Sequence, residues 1–415
     1  MRFFLLLLAA IGLSPLAAEE ARPAKRIAIT FDDIPRGEGV FYSADERTKV
    51  LIERLEQAGV KQAAFFLNPG RIAEREGAQE RIDAYVKAGH VIANHTNTHP
   101  RLSQVPAEAF LQDIDQAATW MDSSDGFRPW FRFPYLDEGR ADKAKRDAVR
   151  TGLAERGLIN AYVTVDASDW FYEGEAQKAV REGRQVNILE LGRLFIEAHV
   201  EAAEFYADLA ERTLGRQPAH VLLLHETDLV ALTLSELVEA LEAKGWEIIT
   251  ADEAYSDPVA NEAARYDTPS AAGTLTEQLA WQKGLAGPRW YKFNDIRLAG
   301  FRFSKRVLGD RTYIPGGFRG VWDVEEGTCR ADSKTRLVIE GDTIRFPKSL
   351  GRVMKVGREG DDALVTLEMQ GEGVSGDRVL RLALAQKRYD LFLYASDGSA
   401  TKAPDALQRE RCKVK

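Results

Sequence analysis

Cysteine is nearly missing from this chain. The 415 residues hold two, Cys329 and Cys412, both in the last quarter, which leaves room for one disulfide and no framework of them. A basic excess is also missing. Lys and Arg number 56 against 64 Asp and Glu, a net charge of -8, so no basic excess is offered to a polyanion and nucleic-acid binding is disfavoured. After the first residues no apolar run is long enough to cross a bilayer. Glycine (33) and proline (15) are too few for a collagenous or disordered chain, and 45% hydrophobic with 29% charged residues is ordinary globular composition. The length suits about three domains at roughly 150 residues each, or two if one is large.

What is present begins with a leader. Met1-Arg2 precedes the apolar residues 3–8 and 9–13, then Pro15-Leu16-Ala17-Ala18 and Glu19-Glu20. This is the pattern of a secretory signal at 1–18, cut after Ala18, although Leu16 fits the small-residue rule poorly. The expected mature protein is exported, to the periplasm or beyond, with no integral membrane segment once the leader is removed. An oxidising compartment lets Cys329 and Cys412 pair, and closing so long a loop stabilises the fold by roughly 4 kcal/mol.

From residue 26, short apolar runs alternate with helical patterns. Strands are expected at 26–31, 63–67, 90–93, 130–133, 161–165, 219–224 and 246–249, with helices at 43–58, 81–88, 106–121, 142–156 and 234–244. Such alternation predicts parallel βαβ units in a distorted or incomplete (β/α) barrel. A long amphipathic helix is expected over 188–214, its apolar side (Leu191, Leu194, Phe195, Ala198, Ala202, Phe205, Leu209) laid on the barrel and His199 packed rather than ligating. Residues 19–300 are assigned to the barrel with its closing tail, 301–316 to a linker. Residues 317–415, where the pattern turns period-two, are assigned to a small all-β domain, a barrel or sandwich carrying the two cysteines.

The chemistry gathers at strand ends, where barrels build their sites. The first strand ends in Thr30-Phe31-Asp32-Asp33, adjacent carboxylates whose side chains diverge on an extended backbone and so suit different tasks. After the third comes Asn94-His95-Thr96-Asn97-Thr98-His99-Pro100. Two histidines and one aspartate leave open positions on a catalytic divalent metal, whereas His90, at the start of its strand, reads as structural. Arg132-Phe133-Pro134-Tyr135, Asp166-Ala167-Ser168-Asp169-Trp170 and Leu222-Leu223-Leu224-His225 follow at later strand ends.

In order and spacing this series resembles the motifs of the polysaccharide deacetylase family (NodB homology, carbohydrate esterase family 4), over about residues 26–257. The resemblance implies a hydrolase that removes N- or O-linked acetyl groups from carbohydrate with a divalent metal, zinc the expected ion. It implies Asp33, His95 and His99 as ligands, Asp32 as general base and His225 as general acid. Arg132 would position Asp32 and Asp169 would tune His225. Tyr135 would offer its backbone N–H to the oxyanion, and Trp170 and Leu223 would wall the acetyl pocket. An acetylated carbohydrate is the expected partner; the sequence sets no oligomeric state. Leu136-Asp137-Glu138 after Tyr135 and Glu226 after His225 depart from the usual pattern and bear on the shape of the substrate groove. Competing readings are an amidase or imidase on a small non-sugar substrate, a non-catalytic carbohydrate-binding envelope protein, and a non-haem iron oxygenase, which uses the same ligand trio on a different scaffold.

Overall fold

The computed structural model describes residues 25–121, 124–309, 314, 316–324, 326–359, 362–371, 374–387, 390–397 and 407–412. The leader expected at 1–18 lies outside them.

The first unit is built on β1 (Lys25–Ile34), β2 (Ala64–Leu67), β3 (Val91–Asn94), β4 (Phe127–Phe131), β6 (Ile159–Asn160), β7 (Ala219–His225) and β8 (Trp246–Ile248); β5 (Asp137–Arg140) and β9 (Ala271–Ala272) form a separate antiparallel pair. The parallel sheet runs β6-β4-β3-β2-β1-β7, with β8 joined to the start of β1, and a single bridge from Val165 to Leu222 brings the far edge back towards β7. This is a distorted, incomplete (β/α) barrel. Its central strands read as continuous apolar runs because helices bury both faces: every residue of β2 and β3 is buried.

Around it lie α1 (Ala44–Gln57), α2 (Ala78–Lys87), α3 (Ala107–Met121), α4 (Lys143–Glu155), α5 (Asp169–Arg181), α6 (Ile188–Leu214), α7 (Asp228–Glu242), α8 (Ala251–Tyr255), α9 (Ala260–Ala263), α10 (Leu275–Gln282) and α11 (Ile296–Arg306). Local chemistry sets their ends. Ser43 and Glu46 form a capping box at α1, and Thr274 and Glu277 another at α10. Asn187 caps α6, which stops at Gly215, where φ is 71° and only glycine sits without strain. The α6 face expected to be apolar is buried, with Leu191, Leu194, Phe195, Ala198, Ala202 and Leu209 in the main core and Phe205 half-buried against it. Each such leucine or phenylalanine contributes roughly 1.5–3 kcal/mol. His199 is buried and its Nδ1 lies 2.7 Å from the Phe195 carbonyl.

Two expectations shift. The strand placed at 161–165 is instead the two-residue β6, because only Ile159 and Asn160 pair with β4; beyond them the Thr164 and Val165 amides both turn to the Val221 carbonyl. The linker placed at 301–316 begins inside α11, whose Ala299, Phe303 and Val307 follow helical spacing into the main core, so the first unit runs at least to Val307.

The second unit is a closed antiparallel barrel: β10 (Gly320–Asp323), β11 (Leu337–Ile339), β12 (Thr343–Arg345), β13 (Ser349–Glu359), β14 (Asp362–Gly371), β15 (Val374–Lys387), β16 (Asp390–Asp397) and β17 (Leu407–Arg411), with β17 paired back onto β10. Its interior is its own, filled by Trp322, Ile344, Val365, Leu367, Leu382 and Leu393. Cys329 and Cys412 are joined.

Candidate active site

One cavity of about 570 Å³ opens at the carboxyl ends of the parallel strands. Asp32, Asp33, His95, His99, Tyr135, Trp170, Leu223 and His225 all line it; Arg132 and Asp169 stand fully buried behind.

Register and backbone conformation bring these groups together. Asp32 on β1 is the Cα partner of His225 on β7. At Asp33 the backbone turns into the left-handed region (φ 70°), so the two carboxylates do not diverge as a straight strand would make them. Both approach His95, with Nε2 3.7 Å from Asp32 Oδ2 and 3.8 Å from Asp33 Oδ1. His99 is also left-handed (φ 63°), its amide donating to Thr96 Oγ1, and its Nε2 lies 3.0 Å from Asp33 Oδ1. One potential ligand atom each from Asp33, His95 and His99 lies within 4.8 Å of the others.

The donor set suits a divalent cation. Asp33 Oδ1 is buried yet has no hydrogen-bond donor, an orphaned acceptor that protein structures seldom leave uncompensated. His95 Nδ1 sits 2.9 Å from the Arg132 carbonyl, which can only accept, so the ring hydrogen stays on Nδ1 and the Nε2 lone pair is left for the cluster. Burial holds both imidazoles neutral, lowering His95 to about 4 and His99 to about 3. Burial pushes Asp33 up, but His225, His99, His95 and Arg36 outweigh it and hold the carboxyl well below the usual range.

Two ion pairs frame this trio. Arg132 donates from Nη1 to Asp32 Oδ1 (2.7 Å) and Thr30 Oγ1 (2.9 Å), from Nε to the Ala161 carbonyl (2.9 Å) and from Nη2 to the Tyr255 hydroxyl (2.6 Å), so its plane is fixed. Burial raises the pKa of Asp32 against the pull of Arg132. Across the cavity Asp169 accepts from His225 twice, at the backbone N–H and at Nδ1, both at 2.7 Å. Burial works to lower His225, but Asp169 and, further off, Asp33 raise it to about 9. The site therefore holds a buried carboxylate and a cationic imidazole on opposite sides of a neutral-histidine cluster.

Several residues of the cavity escaped the sequence reading. Arg36 lies just past the first motif, and Arg101 stacks 3.5 Å over the Tyr135 ring. Asp166, raised to about 6 by burial, sits in a quoted motif but was given no role. Glu277, raised to about 7 by burial, accepts from Tyr206 (2.6 Å), while the Asn294 amide donates to the Asp166 carbonyl (3.0 Å) and to Tyr206 (3.2 Å). For Glu277 the only cue was a capping box, which marks a helix start rather than a site; for Asn294 there was none. Gly273 (φ 102°) lets Glu277 close in, since a Cβ there would collide with Glu277 Oε2.

Fold and site together define a parallel β/α scaffold presenting a buried aspartate and a cationic imidazole around a His2Asp cluster. Residues 19–155 match the polysaccharide deacetylase family model. Peptidoglycan-N-acetylglucosamine deacetylase of Bacillus cereus is 28% identical over 144 residues, 35% of this chain and 46% of its own length. Its counterpart PgdA of Listeria monocytogenes is 26% identical over 241 residues, 57% of this chain and 40% of its own. A solved family 4 carbohydrate esterase from Streptomyces lividans is 22% identical, with a TM-score of 0.37 over 55% of this chain and 95% of its own. The similarity to the polysaccharide deacetylase family (NodB homology, carbohydrate esterase family 4) thus lies over residues 19–155, about a third of the chain. The chain spans less than half the length of these curated relatives. Among the described residues no helix is long and apolar enough to cross a membrane.

Proposed function

We propose that this chain is an exported, metal-dependent hydrolase that removes acetyl groups from carbohydrate, acting on N-acetyl amides and, by the same groups, on O-acetyl esters. The observation that carries the proposal is the gathering around one cavity of three potential metal donors, Asp32 backed by buried Arg132 and His225 backed by buried Asp169. Asp33, His95 and His99 would hold the ion, zinc by the chemistry of a two-histidine, one-carboxylate set. A divalent cation there would polarise the acetyl carbonyl and ease deprotonation of the attacking water.

The chain's own residues supply the remainder. Asp32 accepts the proton of the attacking water, and Arg132 keeps its carboxylate aimed across the cavity. The backbone N–H of Tyr135 faces the developing oxyanion. His225, cationic because Asp169 shares its Nδ1 proton, donates from Nε2 to the departing nitrogen. Trp170 and Leu223 form the apolar wall for the acetyl methyl. Export rests on the leader at 1–18 and is in keeping with the Cys329–Cys412 bond.

Acetate release from a panel of N-acetylated and O-acetylated oligosaccharides, with chelator-stripped protein and zinc add-back as controls, tests the reading. Release that needs the metal is expected. No release from any member of the panel, or release indifferent to chelation, overturns it.

A further inference from the structure

Arg101 lines the catalytic cavity and is half-buried there. Asp32, Asp33, Asp166 and Glu277 line the same cavity, yet none of them pairs with it; its guanidinium has no ion pair and no hydrogen bond among the described residues. What it meets is an aromatic ring. Arg101 Cζ lies 3.5 Å from the centroid of Tyr135, where the positive charge is drawn to the ring face and the planar fork can stack on it.

Tyr135 is a residue that needs holding. It and Leu136 both sit in the left-handed region, with φ 59° and 49°, a conformation that residues with side chains keep only where their surroundings impose it. The backbone supplies part of the restraint, since the Leu136 amide donates to the Phe133 carbonyl (3.0 Å). The Tyr135 amide and hydroxyl have no hydrogen-bond partner among the described residues, and the side chain is not packed into a core: the residue is 49% exposed. Its ring meets Arg101 and, with centroids 4.4 Å apart, the His99 imidazole.

The backbone that carries Arg101 is itself anchored. Leu102 is buried in one cluster with Phe110, Phe131 and Phe133. Ser103 donates to Asp137, whose other carboxylate oxygen accepts from the Gly139 amide (2.9 Å). The loop after His99 and the turn at Tyr135 are therefore joined away from solvent by Leu102 and Ser103, and on the cavity side by the guanidinium on the ring.

We propose that Arg101 is a positioning residue: by clamping the Tyr135 ring it holds the strained turn that presents the Tyr135 N–H to the developing oxyanion. The proposal rests on the deacetylase reading above, which gives that N–H its role, and adds a residue outside the motif series. Releasing the clamp lets the turn leave the one conformation in which the N–H is aimed. The loss then falls on the transition state, where the oxyanion exists, and not on substrate binding.

The test is acetate release from an N-acetylated tetramer by zinc-loaded wild type and variants over a range of concentrations, with bound metal measured by elemental analysis. Arg101→Gln should lower kcat and kcat/KM together by roughly 3- to 30-fold, the range a cation–π contact spans, with KM within about twofold of wild type and metal content unchanged. Arg101→Lys, which restores a cation without the planar fork, should recover part of the rate. Tyr135→Ala should lose at least as much as Arg101→Gln, and adding Arg101→Gln to it should cost less than about twofold more, because the clamp has nothing left to hold. Tyr135→Leu takes its place in the cycle should the alanine protein not fold. A rise in KM at unchanged kcat would make Arg101 a substrate contact. A full loss from Arg101→Gln in the ring-deleted background would cut its link to Tyr135, and loss of metal would place its effect on His99. Each of these overturns the proposal, as does an unchanged rate in Arg101→Gln, and each leaves the deacetylase reading standing because wild type releases acetate throughout. No release by wild type overturns both.

Discussion

Asp32 and Asp33 are neighbours in sequence with different surroundings. Asp32 is locked to Arg132 at 2.7 Å, whereas Asp33 Oδ1 faces two imidazoles and has no donor. Asp32→Asn should therefore keep the metal and lose acetate release by on the order of 100- to 10,000-fold, the usual worth of a general base. Asp33→Ala should lose metal and activity together. Elemental analysis alongside turnover separates the two, and a metal-free Asp32→Asn beside a fully active Asp33→Ala would reverse the assignment. The acid side makes a pH prediction. His225 is raised to about 9, so the protonated acid is present below that value and lost as pH rises through it, which sets the alkaline limb of the rate profile. Asp169→Asn removes the largest raising influence and should bring that limb down towards the ordinary histidine value of 6.5. A cation in the neighbouring site lowers the limb in both proteins and leaves the direction of their difference. An unmoved limb in Asp169→Asn would show that another group sets it.

At the scale of elements, the far wall of the cavity comes from segments late in the chain. Tyr206 on α6 donates to Glu277 on α10 (2.6 Å) and accepts from Asn294 (3.2 Å), joining the long helix to the tail of the first unit. Tyr206→Phe leaves both partners short of a bond and should cost about 1–3 kcal/mol in urea unfolding. KM should rise while bound metal stays at wild-type level; loss of metal instead would place Tyr206 with the ligands. This wall shows what a sequence yields and withholds. The β1, β2, β3 and β7 strands were legible because burial on both faces demands an unbroken apolar run, and the motif residues were legible because they end those strands. Glu277 and Asn294 reach the cavity through tertiary packing that no local pattern encodes. The two-residue β6 carries too little pairing to leave a periodic signal, and the polar Asp-Glu-Gly-Arg of β5 pairs with Ala271–Ala272 far along the chain. In the second unit, Leu407–Arg411 is mostly polar and becomes a strand through its pairing with β16 and with β10, which closes the barrel.

At the scale of the whole molecule, the described residues hold hydrophobic cores that do not mix. The barrel core draws on Ile314 and later residues, while the buried members of the other clusters end at Val307. Every group assigned a part in catalysis lies in the first unit. The disulfide joins Cys329, in the stretch after β10, to Cys412, just beyond β17, across 83 positions, so it ties together the two strands whose pairing closes the barrel. Loop closure over that span is worth roughly 4 to 5 kcal/mol in the chain-entropy model, a large share of what a domain of about 100 residues has to spare. Cys329→Ser/Cys412→Ser should therefore lower the unfolding midpoint of the barrel while acetate release from short oligosaccharides and bound metal persist. Differential scanning calorimetry on the intact chain should show two transitions, with only one moved by the substitutions. A single transition that shifts as a whole, or loss of acetate release in step with the barrel, would mean that the second unit supports the catalytic one. The barrel would then have to be counted as part of the enzyme rather than as a module joined to it.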